Sequence, residues 1–230
     1  MNTAVKTRLV FATEPNWRSV LKLINVAILI YLAQASSVTA QTSICELPIE
    51  EAIQLYDDSL LTKEDLPCHH RVFLIAGFLD RSSALETVPF ELRRSTRNMN
   101  AYDLAMIRTG DASRIRRLEI LLEGAEVDDN FIYEVAPKLL YTRRREVLDF
   151  FFQAILSDER NCRPADAHTL GQINCAYRLL EMIAPVIKDF PLTVGPSGDL
   201  EVDDYPRALD LARLWISENT STYQIITETY

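Results

Sequence analysis

Apolar residues recur at helical spacing along most of the chain beyond residue 45, and glycine, on which tight hairpins depend, occurs only six times in 230 positions. Together these argue against sheet-and-hairpin architectures and predict an all-α fold. The clearest stripe is Ile115, Leu118, Leu121 and Leu122, closed by Gly124 and preceded by a Gly110-Asp111 break in which Asp111 is placed to cap the helix. Asp128 or Asp129 caps a second helix bearing Phe131, Ile132, Val135, Leu139 and Leu140. A third begins near Arg143 and carries Val147, Leu148, Phe151, Phe152, Ile155 and Leu156. Asn174 to Ile187 gives a fourth, with Tyr177, Leu180, Ile183 and Ile187 on its buried side, and Tyr205 to Ser217 a fifth, with Leu209, Ala212, Leu214 and Trp215. Upstream, Pro48 opens a helix presenting Ile49, Ile53 and Tyr56. Thr62 is expected to cap the run Val72, Leu74, Ile75, Phe78 and Leu79, and shorter helices are expected over Ser83–Ser95 and Tyr102–Arg108.

Two irregular segments interrupt the helices. Residues 161–175 read as a loop, and Pro191 to Asp204, with two glycines and two prolines, reads as a short hairpin or projecting insertion. Val135-Ala136-Pro137-Lys138-Leu139 is echoed by Ile183-Ala184-Pro185-Val186-Ile187, 48 positions later, each placing a proline inside a helical pattern. Downstream of each lies a Leu-Asp pair opening an apolar helix, Leu148-Asp149 and Leu209-Asp210. On these residues the chain resembles a short HEAT-like (armadillo-type) repeat array over about residues 111–218. Such arrays stack helical pairs at a period of ~40–47 residues. The resemblance implies antiparallel helix pairs stacked into a solenoid that binds other proteins. A single-core helical bundle accounts for the same periodicity.

The N-terminus bears on compartment. Lys6, Arg8, Arg18 and Lys22 precede an apolar core from Leu23 to Ala33, and Val38-Thr39-Ala40 follows as an A-x-A-like cleavage site. Residues 1–40 are therefore expected to be a signal peptide, and 41–230 a single helical domain that is secreted or periplasmic. The rival is an uncleaved anchor, since a span needs roughly 20 apolar residues and the run reaches that length only by including Lys22, Asn25, Gln34 and Ser36-Ser37.

Export decides the cysteine chemistry. Cys45, Cys68, Cys162 and Cys175 form two local pairs, and of the three possible connectivities Cys45–Cys68 with Cys162–Cys175 staples two short loops. Each closure is worth about 3 kcal/mol in the chain-entropy account. No C-x-x-C occurs, and His69 and His70 beside Cys68 lack zinc-ligand spacing, so no metal is expected. With 24 Lys/Arg against 33 Asp/Glu, the net charge of −9 repels phosphate backbones and anionic lipid. The expected partner is therefore another protein, with no nucleic acid and no membrane once the signal is gone.

No catalytic motif is present: there is no G-x-S-x-G, H-E-x-x-H, Walker loop or dinucleotide fingerprint, and no cofactor is expected. Cys68-His69-His70 offers a nucleophile and imidazoles, but oxidation to Cys45 removes the thiolate. His168 near Asp166 suits a local hydrogen bond. Glu134, Asp149 and Glu181 are the carboxylates from which a hydrolase site would be built. Asp199, Glu201, Asp203 and Asp204 lack EF-hand spacing and read as a plain acidic loop. Arg93-Arg94, Arg97, Arg114, Arg116-Arg117 and Arg143-Arg144-Arg145 are expected either to line a positive stripe or to form ion pairs between layers. Phe150-Phe151-Phe152 marks a helix covered on more than one face, and Asn219-Thr220-Ser221 is a glycosylation sequon. The sequence therefore points to an exported helical binding or scaffolding module without catalysis. Its alternatives are a secreted hydrolase using helical carboxylates or histidines, and a signal-anchored membrane accessory protein.

Overall fold

A computed structural model describes residues 43–63, 66, 68–93, 99–164 and 171–229. The chain divides into two units, Met1–Ser43 and Ile44–Tyr230. The proposed signal, Arg94, Arg97, Asp166 and His168 lie outside the described residues.

The fold is all-α. Its α-helices are α1 (Ile49–Gln54), α2 (His69–Phe78), α3 (Ser82–Glu86), α4 (Phe90–Arg93), α5 (Ala101–Arg108), α6 (Ala112–Glu123), α7 (Ala136–Tyr141), α8 (Arg145–Leu156), α9 (Ala176–Ile183) and α10 (Tyr205–Asn219). Shorter 3-10 turns cover Asp58–Thr62 and Ala184–Val186, and a π-helical turn covers Phe131–Val135. No strand forms among the described residues; pairing is confined to the single bridges Cys162 with Ile173, Ile187 with Ile225 and Val194 with Leu200.

Local chemistry explains the boundaries. Asp111 accepts from the Arg114 N–H at 2.9 Å, Asp204 from Arg207 at 3.1 Å and Asn100 from Asp103 at 2.8 Å, so each satisfies an otherwise orphaned donor at a helix start. Thr62 does not cap α2; its hydroxyl donates back to Ser59 within the 3-10 turn, and α2 starts only after Cys68. The helix expected over 174–187 stops at Ile183. Pro185, with no N–H to give, tightens the continuation into a 3-10 turn.

Three helices end alike. Asp80, Gly110 and Arg143 adopt positive φ of 54°, 94° and 52° after α2, α5 and α7, and the next helix starts two residues later in each case. The Arg81 N–H reaches the Ala76 carbonyl and Asp111 that of Met106, both at 2.9 Å, closing Schellman turns. These turns fold the chain into the pairs α2–α3, α5–α6 and α7–α8. A fourth pair, α9–α10, carries the 189–204 segment where the others have a tight turn. Along the first members, α2 packs on α5, α5 on α7 and α7 on α9. Along the second members, α6 packs on α8 and α8 on α10, while α3 packs on α5.

The α2–α5 crossing depends on Gly77, where a Cβ would come within 2.7 Å of the Ala105 Cα. Buried side chains form two clusters. The smaller joins Leu61, Val72, Phe73, Leu85, Tyr102 and Met106. The larger runs from Ile107 through Phe131, Phe151 and Leu180 to Ile216 and Tyr223. Both expected cysteine pairs are bonded: the Cys45–Cys68 sulfurs are 2.10 Å apart and those of Cys162–Cys175 2.13 Å. Among the described residues no helix is long and apolar enough to cross a membrane.

Candidate functional site

Pro137 distorts the helix turn beside an apolar groove. Its missing N–H and its ring oppose a regular turn, and the Ala136 N–H instead bonds the Phe131 carbonyl five residues back. This widened turn faces α6 across a groove of about 680 Å³. Leu118, Leu122, Phe131 and Leu139 form its floor, and Arg117, Glu126, Glu134 and Lys138 its rim. Leu121, expected on the buried stripe of α6, is instead 51 % exposed at the groove mouth. The Asp128 carboxylate accepts from the Phe131 N–H at 2.8 Å and fixes the start of the π turn. Sequence reasoning named Asp128 and Pro137 but not the cleft they produce, because nothing in the α6 pattern separates Leu121 from Leu122.

The carboxylates considered for hydrolysis do not converge. Glu134 is on the groove rim, 3.7 Å from Lys138. Asp149 accepts from the Tyr223 hydroxyl at 2.9 Å, and Glu181 is held by Arg178 at 3.3 Å and the Tyr205 hydroxyl at 3.1 Å. His69 and His70 stack edge to face with ring centroids 4.3 Å apart, and burial together with the His69 charge lowers the His70 pKa. Their neighbour Cys68 is spent in its disulfide. Asp204 caps α10 and Glu201 accepts from Thr193, so the acidic loop is occupied locally. Among the described residues no group of three His, Cys, Asp or Glu is placed to hold a metal ion.

The arginines serve backbone carbonyls more than carboxylates. Arg93 donates to Val88 and Glu86 carbonyls, Arg71 to those of Cys45 and Leu47, and Arg108 to those of Tyr141 and Thr227. Arg143 serves Leu140 and Thr229, and its Nε is buried without a hydrogen-bond partner. Burial and the nearby Arg108 charge push its pKa down to about 10. Arg114 follows the ion-pair reading: it bonds Asp103 on α5 and Asp111, both at 3.1 Å. Phe151 and Phe152 are fully buried, while Phe150 leans on Phe131 at 5.6 Å.

No protein-family model, curated protein or solved structure matches this chain. The geometry stands alone.

Proposed function

We propose that the chain is an exported helical binding module, built as a short stack of helix pairs and engaging a protein segment through the α6–α7 groove. The observation that carries this reading is the open apolar floor with Leu121 exposed at its mouth, which a globular chain gains nothing by leaving wet. The packing of each first member on the next, and of α6 on α8 and α8 on α10 among the second members, supports a stacked array. Its turns are spaced 30 and 33 residues apart, at Asp80, Gly110 and Arg143. That is a shorter unit than the ~40–47 residues of HEAT and armadillo repeats and nearer the ~33–34 of ankyrin and TPR units. Two disulfides favour an oxidising compartment, secreted or periplasmic. The net charge of −9 points away from nucleic acid and toward a protein partner.

A photo-crosslinking residue at rim position Lys138, with a control at exposed Glu218, tests the groove in the native envelope. The expected result is a reproducible protein adduct at 138 only, abolished by Leu121→Asp while the melting temperature holds. Equal adducts at both positions, or none, would remove the reading. N-terminal sequencing of the same material should give Gln41.

A further inference from the structure

Beyond α10 the chain runs back across the ends of three helix pairs. The Lys188 N–H donates to Gln224 at 3.0 Å and the Ile226 N–H to Val186 at 2.8 Å, pairing this segment with the end of the fourth pair. Arg108, from the second pair, donates to the Thr227 carbonyl at 2.8 Å. Arg143, from the third, donates to the Thr229 carbonyl at 3.2 Å. Main-chain atoms thus supply most of the hold on the segment, with longer side-chain bonds from Arg143 to the Thr229 hydroxyl at 3.4 Å and from Lys188 to the Gln224 amide oxygen at 3.5 Å, the way an extended peptide is held by a sheet edge and a row of guanidinium donors.

The grip is uneven. Tyr223 is buried: its ring meets Phe152 at 5.0 Å, the Arg145 guanidinium lies 4.1 Å over it, and its hydroxyl reaches Asp149. Past it, Gln224, Thr227, Glu228 and Thr229 are exposed and only Ile225 and Ile226 are half-buried. A segment with so little apolar cover and with water-accessible bonds belongs to the low-stability end of a fold. We propose that Val186–Lys188, Arg108 and Arg143 form a docking row for an extended peptide segment, occupied in cis by residues 224–229 as a strap that detaches while Tyr223 stays anchored.

Hydrogen exchange on the intact oxidised protein tests detachment directly. The Lys188 and Ile226 amides should exchange at least about 100-fold faster than those of Leu180 and Ile183 inside α9, with matching protection factors, because one opening event frees both. Protection equal to that of Leu180, or unequal at the two amides, overturns the proposal. A chain ending at Tyr223 tests the row itself. Labelled synthetic peptide Gln224–Tyr230 should bind it at least about tenfold more tightly than it binds the intact chain. Arg143→Asn, which tolerates the positive φ, should lower that binding by about tenfold. Equal binding to both chains, or binding untouched by Arg143→Asn, rejects the row. If the shortened chain does not fold, the exchange measurement on the intact chain still decides.

Discussion

Single residues fix the tightest contacts. Gly77 lets α2 and α5 approach, so Gly77→Ala should destabilise by about 1–3 kcal/mol in urea unfolding, as overpacking does. Asp103 is 7 % exposed and its carboxylate meets Arg114. Removing Arg114 strands the desolvated Asp103 charge, and Arg114→Met should cost about 2–3 kcal/mol, below the full buried-pair range because the Arg114 side chain is 25 % exposed. Burial opposes ionisation of Asp111, but hydrogen bonds from Ser113 and the Arg114 N–H, with the Arg114 charge, outweigh it and hold its pKa below the ordinary carboxylate value. Glu146 is likewise held down against burial by Arg144. A pKa lowered on folding gives stability that is whole above the unfolded value, about 4, and lost as pH falls through the folded one. Tyr223 runs the other way. Burial and the Asp149 carboxylate raise its pKa, so its contribution is whole below about pH 10 and declines above it. Thermal melts across pH should therefore drop on both the acid and the alkaline side.

Helices were legible in the sequence wherever apolar spacing was regular. The stripes in α6 and α8 place Leu118, Leu122, Val147, Phe151 and Ile155 in the core, as expected. Legibility failed where a backbone detail decided the outcome. The α6 stripe assigned Leu121 inward, because a one-dimensional period does not fix the width of the buried face. It also missed the π turn, although Pro137 signalled an irregularity there. Arginine roles were hidden because carbonyl acceptors leave no mark on the sequence. The cysteine pairing was legible because it is local. Reducing Cys162–Cys175 should loosen the 161–175 loop and cost about 3 kcal/mol, read as a lower denaturation midpoint than that of the oxidised chain.

At the scale of the whole molecule, each helix pair packs on the next, and the C-terminal segment ties the second and third pairs to the chain's end through Arg108 and Arg143. The sequence echo at Pro137 and Pro185 pointed to repetition, yet the shared feature of the first three pairs is the positive-φ turn, which three different residues, Asp, Gly and Arg, provide. A turn defined by conformation rather than residue identity is invisible to pattern matching. The C-terminal segment was invisible for a related reason: residues 224–229 carry no helical period, and their partners lie far back in the chain.

The closeness of each sulfur to its partner in sequence, 23 and 13 positions, also bears on how the protein is made. Cys68 emerges 94 residues ahead of Cys162, roughly 5–20 s earlier at ordinary synthesis rates. The first crosslink can thus close before the later thiols exist to compete for it. Biogenesis should proceed with a simple oxidant and little call for a shuffling catalyst.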